Sequence, residues 1–193
     1  MFIEATFPAN KAGCLEVICG SMFSGKTEEL IRRIKRVQIA QIPVQLFKIS
    51  FDHRYNKEKV VSHDAQSISS TVVDKSLDIL HLSKDAVVVG IDEIQFFDEN
   101  IVDVIETLLK NDKRVIVAGL DMDFTGKPFK HVPYLLAIAD FITKLHAICT
   151  VCGGLAHISY RKNIRENTLN QVVIGTTDIY EARCRKCAIY NNI

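Results

Sequence analysis

The chain has 193 residues, 48% of them hydrophobic and 24% charged, and a formal net charge of +1. That is the make-up of one ordinary globular domain with a small appendage. So even a charge gives no bulk electrostatic drive toward nucleic acid or a membrane surface, and the longest apolar runs, such as AVVVGI at 86–91, are too short to span a bilayer.

In chain order, the opening MFIEATFPANKAG lacks the basic start and apolar stretch of a secretory signal, so a cytoplasmic location is expected. In that compartment six cysteines point to metal or free thiols rather than disulfides. CLEVICG (14–20) reads as a buried strand, with Cys14 and Cys19 as plain buried thiols. A helix follows from about Gly25, its apolar face marked by Leu30, Ile31, Ile34 and Val37. Glu28 and Glu29 suit its positive start and lie four residues before Arg32 and Arg33, so RRIKR is expected to be a solvated, salt-bridged face. PVQLFKIS (43–50) is a second strand, and the polar stretch 51–70 reads as a long loop. STVV (70–73) is a short strand and SLDILHL (76–82) a short helix. DAVVVGIDE, NIVDVIETLLK and RVIVAGL read as buried strand, amphipathic helix and buried strand, and DFITKLHAI (140–148) closes the series. Buried strands alternating with helices predict a mostly parallel sheet covered on both faces. Paired cysteines begin after Leu145, which sets the expected boundary between a domain at 1–145 and a smaller one at 146–193.

GSMFSGKT fits G-x-x-x-x-G-K-[ST] at every fixed position and falls between a predicted strand and a predicted helix. Gly20, Ser21, Met22, Phe23, Ser24 and Gly25 would curl backbone N–H groups around phosphate oxygens at the helix's positive end. Lys26 would reach the outer phosphates, and Thr27 would bind Mg²⁺ through its hydroxyl. The carboxylate that completes such a site is Asp92, at the end of VVVGID. Glu93, directly after it, is placed to take a proton from the attacking oxygen. These residues alone leave the nucleophile open: water would make an NTPase, a substrate hydroxyl a kinase.

Cys149-x-x-Cys152 and Cys184-x-x-Cys187 offer four thiolates for a tetrahedral structural Zn²⁺. The long separation between the pairs predicts a ribbon with an inserted hairpin or loop at about 155–180, and the nearby His146 and His157 are read as non-ligands. Residues 146–193 are too few to bury a convincing core without metal.

GSMFSGKT, FDHRY, IDEIQFF, GLDMDFTGKPF, KLHAICTVCG and IGTTDIYEARCRKC occur in this order, and together the chain resembles the zinc-containing thymidine kinases of the cytosolic and bacterial type. The resemblance implies a P-loop NTPase-like parallel sheet flanked by helices, plus a C-terminal zinc ribbon carrying a lasso-like loop that closes over the base. It implies transfer of phosphate from ATP to the 5′-hydroxyl of thymidine, with deoxyuridine as a second substrate and Glu93 as general base. It implies that Met22, Phe96, Leu120, Phe124, Ser159 and Tyr180 surround the base and its methyl group. Val173 and Gly175 would offer main-chain contacts, and Arg54, with Asp52 beside it, would approach the phosphates. A homotetramer inhibited by dTTP is implied as well. Two departures stand out: Ser159 falls where many relatives carry Thr, and only 188–193 follow Cys187, so a regulatory tail is not expected. Against this stand a P-loop ATPase, for which the chain offers little room, and a zinc-ribbon nucleic-acid module, for which Arg183, Arg185 and Lys186 are sparse support.

Overall fold

The computed structural model describes residues 12–50, 59–61, 67–162 and 179–189. The elements run, in chain order, β1 (Cys14–Gly20), α1 (Lys26–Ile39), β2 (Val44–Ile49), β3 (Lys59–Val61), β4 (Ser67–Ser69), β5 (Thr71–Val73), α2 (Asp78–Leu82) and β6 (Val88–Asp92). After a 3-10 turn at Ile94–Phe96 come α3 (Ile101–Lys110), β7 (Arg114–Gly119), α4 (Val132–Ile138), β8 (Phe141–Leu145), β9 (Ala147–Ile148), β10 (Leu155–Ala156), β11 (Ile158–Arg161), β12 (Tyr180–Arg183) and α5 (Arg185–Ile189).

Six strands form one sheet in the order β5-β2-β6-β7-β1-β8, and every pairing is parallel. Alternation along the strands divides its core in two. Leu15, Val17, Val115 and Val117 join Ile101, Val104, Ile105, Leu108, Val132 and Leu135 of α3 and α4. Ile18, Ile116 and Ala118 join Leu30, Ile31, Ile34 and Val37 of α1 on the other side. The parallel, doubly covered sheet expected from the sequence is what forms.

Three expectations need correction. The stretch 51–70 is not wholly loop, since Lys59–Val61 pairs antiparallel with Ser67–Ser69. Cys14 is half-buried rather than buried, whereas Cys19 is enclosed as expected. Arg33 is not solvated: it is 1% exposed and stands against Glu16, which is 0% exposed within β1. Arg33 Nη1 lies 2.6 Å from Glu16 Oε2, and Arg114 Nε lies 2.6 Å from Glu16 Oε1. Arg33 also donates to Thr143 Oγ1 of β8 and to Glu29 Oε1, both at 2.8 Å. The network therefore ties α1 to strands β1, β7 and β8. Glu16→Gln would leave two enclosed guanidinium groups facing a neutral amide. It is expected to cost about 3–5 kcal/mol in urea unfolding, and a loss below about 1 kcal/mol, the range of a surface pair, would contradict the role given to Glu16.

Because all six strands are parallel, Gly20, Asp92, Gly119 and Leu145 end at one edge of the sheet. Ligands of open α/β sheets bind at that carboxyl edge. Among the described residues no helix is long and apolar enough to cross a membrane.

Candidate active site

The loop from β1 into α1 is shaped by its backbone. Gly20 has φ +147°, and a Cβ there would lie 2.3 Å from the carbonyl oxygen of Leu145 on the neighbouring β8. Phe23 (φ 64°) and Gly25 (φ 84°) also take left-handed conformations, which turns the chain tightly before α1 begins at Lys26. Lys26 Nζ donates to the carbonyl oxygen of Ser21 at 2.8 Å. The hydroxyls of Ser21 and Ser24 are buried with no hydrogen-bond partner, which fits a loop built to receive an anion.

Across β7 from this loop, Asp92 ends β6 only 7% exposed. Thr27 Oγ1 donates to its carboxylate at 3.3 and 3.4 Å, and the N–H of Glu93 donates to Asp92 Oδ1 at 3.0 Å. Burial, and then the charge of Glu93, push the Asp92 carboxyl up to about 7. Burial likewise pulls Lys26 below the usual ammonium range, opposed by Glu93, Asp92 and Asp121. Glu93 itself adopts a left-handed backbone, φ 54° and ψ 44°, at the start of the 3-10 turn.

A raised carboxyl has a definite consequence for stability. Asp92 binds its proton more tightly folded than unfolded, where its ordinary value is 3.8. Its contribution is therefore fully present below that value and is lost as pH rises toward 7. Asp92→Asn keeps the acceptor without the charge. In the nucleotide-free protein its melting temperature is expected to exceed the parent's at pH 8 by on the order of 5 °C. The gap should narrow near pH 4, and an equal gap at both pH values would contradict the assignment.

The described contacts gather the residues expected around the base into three small groups. In the first, Phe96 packs edge-on against Phe129, with ring centroids 5.9 Å apart, and Leu120 follows β7 directly. In the second, Tyr180 of β12 pairs with Arg161 of β11, whose guanidinium lies 5.5 Å from the Phe124 ring centroid. Phe124 is carried on a turn fixed by Asp123, whose Oδ1 accepts from the Thr125 N–H at 2.8 Å, the Thr125 hydroxyl at 2.6 Å and the Lys127 N–H at 3.1 Å. Met22 and Ser159 meet directly, the Met22 N–H donating to Ser159 Oγ at 3.0 Å. The hydroxyl of Ser159 is thus engaged by the phosphate loop's backbone, a contact that spacing in the sequence cannot reveal. Arg54 (with Asp52), Val173 and Gly175 lie outside the described residues.

Cys149, Cys152, Cys184 and Cys187 converge, their sulphur atoms all within 4.8 Å of one another and Cys152 Sγ 3.7 Å from Cys184 Sγ. A tetrahedron with metal–sulphur bonds of about 2.3 Å sets sulphurs about 3.8 Å apart, so the four thiols fit such an ion. N–H groups of Cys184, Cys152 and Val151 hold the Cys149 thiol down at about 6, as a thiolate ligand requires. Hydrogen bonding with Cys184 and partial burial push Cys187 up to about 12, since four thiols this close cannot all ionise without a cation. No histidine belongs to the cluster among the described residues. Around it Ala147, Cys149, Ala156 and Ala182 form a small core, and Phe23 of the phosphate loop packs against it together with Cys184 and Cys187.

A family model described as thymidine kinase matches residues 13–188, nearly the whole chain. The chain belongs to the thymidine kinase family. It is 54% identical over 175 residues to a thymidine kinase of Rhodothermus sp. (strain ITI 518), covering 91% of this chain and 81% of that one. It is 54% identical over 177 residues to the thymidine kinase of Bacteroides thetaiotaomicron, covering 92% and 87%. Against the thymidine kinase of Porphyromonas gingivalis (strain W83) the identity is 52% over 177 residues, covering 92% and 85%. Membership of the thymidine kinase family makes this chain a phosphotransferase, and the resemblance drawn from its motifs holds.

Gln95 is the site residue that the sequence reading passed over. It is 0% exposed, and its side-chain amide joins Glu93 to Leu120. A Gln two residues after a Glu has no spacing signature, so nothing in the sequence marks it.

Proposed function

We propose that the chain transfers the γ-phosphoryl group of ATP to the 5′-hydroxyl of thymidine, and more weakly to that of deoxyuridine, giving dTMP and ADP. The observation that carries this reading is the meeting of phosphate loop, Asp92 and Glu93 at one sheet edge, in a chain of the thymidine kinase family. In this reading the backbone of Gly20–Thr27 and the Lys26 ammonium bind the phosphates, joined by Arg54. Thr27 and Asp92 would hold Mg²⁺, which neutralises phosphate charge. Glu93 takes the proton from the 5′-hydroxyl as its oxygen bonds to the γ-phosphorus and the bond to ADP breaks. Met22, Phe96, Leu120, Phe124, Ser159 and Tyr180 enclose the base, while Val173 and Gly175 bind it through the main chain. The four cysteines hold structural zinc, and the segment between the pairs serves as the substrate lid, which excludes water from the transfer. We divide the chain accordingly into an ATP-binding part at 1–145 and a zinc and lasso part at 146–193. Homotetramer formation, inhibition by dTTP and a cytoplasmic location follow from the resemblance and belong to the same proposal.

The test is ADP release from ATP and Mg²⁺ with each nucleoside in turn. ADP formed with thymidine and matched by dTMP supports the reading. Equal ADP formation without any nucleoside would replace it with an ATPase.

A further inference from the structure

From the geometry we infer that Gln95 is a positioning residue for phosphoryl transfer: its side-chain amide fixes the Glu93 carboxylate relative to the substrate pocket. This rests on the reading of Glu93 as the base. Gln95 Nε2 donates to Glu93 Oε2 at 2.5 Å, and Gln95 Oε1 accepts from the Leu120 N–H at 2.9 Å. Both ends of the amide are therefore used, and used differently. Turning it over would set an NH₂ group against an N–H and an oxygen against a carboxylate, so the two partners fix a single orientation. Gln95 is wholly enclosed, so neither bond faces bulk solvent.

The surroundings are built for this contact. Gly119, the last residue of β7, lets Oε1 approach the chain, because a Cβ there would lie 2.3 Å from it. The left-handed backbone of Glu93 is uncommon for a residue with a side chain and persists only where neighbours over-determine it. Two bonds do so here, the Glu93 N–H to Asp92 and the Phe96 N–H to the Glu93 carbonyl at 3.0 Å, and a third runs from the Gln95 amide to the carboxylate. The first two fix the backbone. Gln95 alone of the three grips the carboxylate, and it anchors that grip to Leu120 on the pocket wall. The base is thereby set at a fixed reach from the bound nucleoside, which is what a near-attack arrangement needs.

A double-mutant cycle tests this. Single-turnover transfer at saturating ATP, Mg²⁺ and thymidine is measured for the parent, Gln95→Met, Glu93→Gln and the double variant. Gln95→Met keeps the volume and removes both hydrogen bonds. It is expected to slow transfer by about 10- to 100-fold, while the Kd of ATP and the KM of thymidine stay within about twofold. In the Glu93→Gln background the same change is expected to alter the rate by less than about twofold, since nothing remains to be positioned. An equal loss in both backgrounds, or no loss in the parent background, would overturn the role of Gln95 and leave Glu93 as base. A full rate in Glu93→Gln alone would overturn both. Should Gln95→Met not fold, Gln95→Leu, also neutral and without a hydrogen-bonding group, removes the same two bonds, and the same cycle is read with it.

Discussion

Glu93→Gln is expected to slow phosphoryl transfer by a factor on the order of 10² or more, with ATP affinity nearly unchanged. The substitution is close to isosteric, and the structure has a place for the new amide. Its oxygen can accept from Gln95 Nε2 as the carboxylate does, and the Glu93 N–H bond to Asp92 involves only the backbone. The fold and the phosphate loop should therefore survive, and the loss should appear in kcat rather than in KM. Rapid quench with ATP, Mg²⁺ and thymidine, beside equilibrium binding of ATP, separates the two. A fully active variant would remove Glu93 from the chemistry and return the choice of base to a residue elsewhere in the pocket.

The second large effect is expected at the cysteines. Cys184→Ala removes one of four converging sulphurs, the acceptor for the Cys187 N–H at 3.4 Å and the partner 3.7 Å from Cys152. Structural zinc sites in small peptides bind with about 10–16 kcal/mol, most of it available to folding. The piece they would hold here has a core of little more than three alanines and a cysteine. Bound zinc, expected at about one ion per chain in the parent, should fall to background in the variant. Amide hydrogen exchange over 147–161 and 180–189 should quicken sharply, with β6 and β7 still protected. A folded, active, metal-free variant would contradict the structural role of the cluster.

What could be read in advance was what lies close together along the chain. The phosphate loop and both cysteine pairs are patterns of local spacing, and the buried strands announce themselves as unbroken apolar runs. Arg33 was misplaced for the opposite reason. Its neighbour Glu29 lies at helical spacing and suggests a surface pair, whereas Glu16 and Arg114 reach it from other elements. The α4 segment VPYLLAI went unnoticed because it is short and begins beside a proline, and β3–β4 because three-residue strands show no period. In the candidate site, Asp92 and Glu93 stood out by their position at the end of a strand. Gln95 was not, because its importance comes from two partners and a missing Cβ that only the fold assembles.

Phe23 has a practical meaning for anyone who recombines this chain with its relatives. Its ring belongs to the loop between β1 and α1, yet it rests on the floor of small side chains around Cys149. A chimaera that joins one parent's first 145 residues to another parent's cysteine-bearing end cuts through that fit. Its success should depend less on overall identity than on whether the aromatic ring at 23 and the alanines at 147, 156 and 182 come from the same parent. Crossovers that keep those four positions together are the ones to try first.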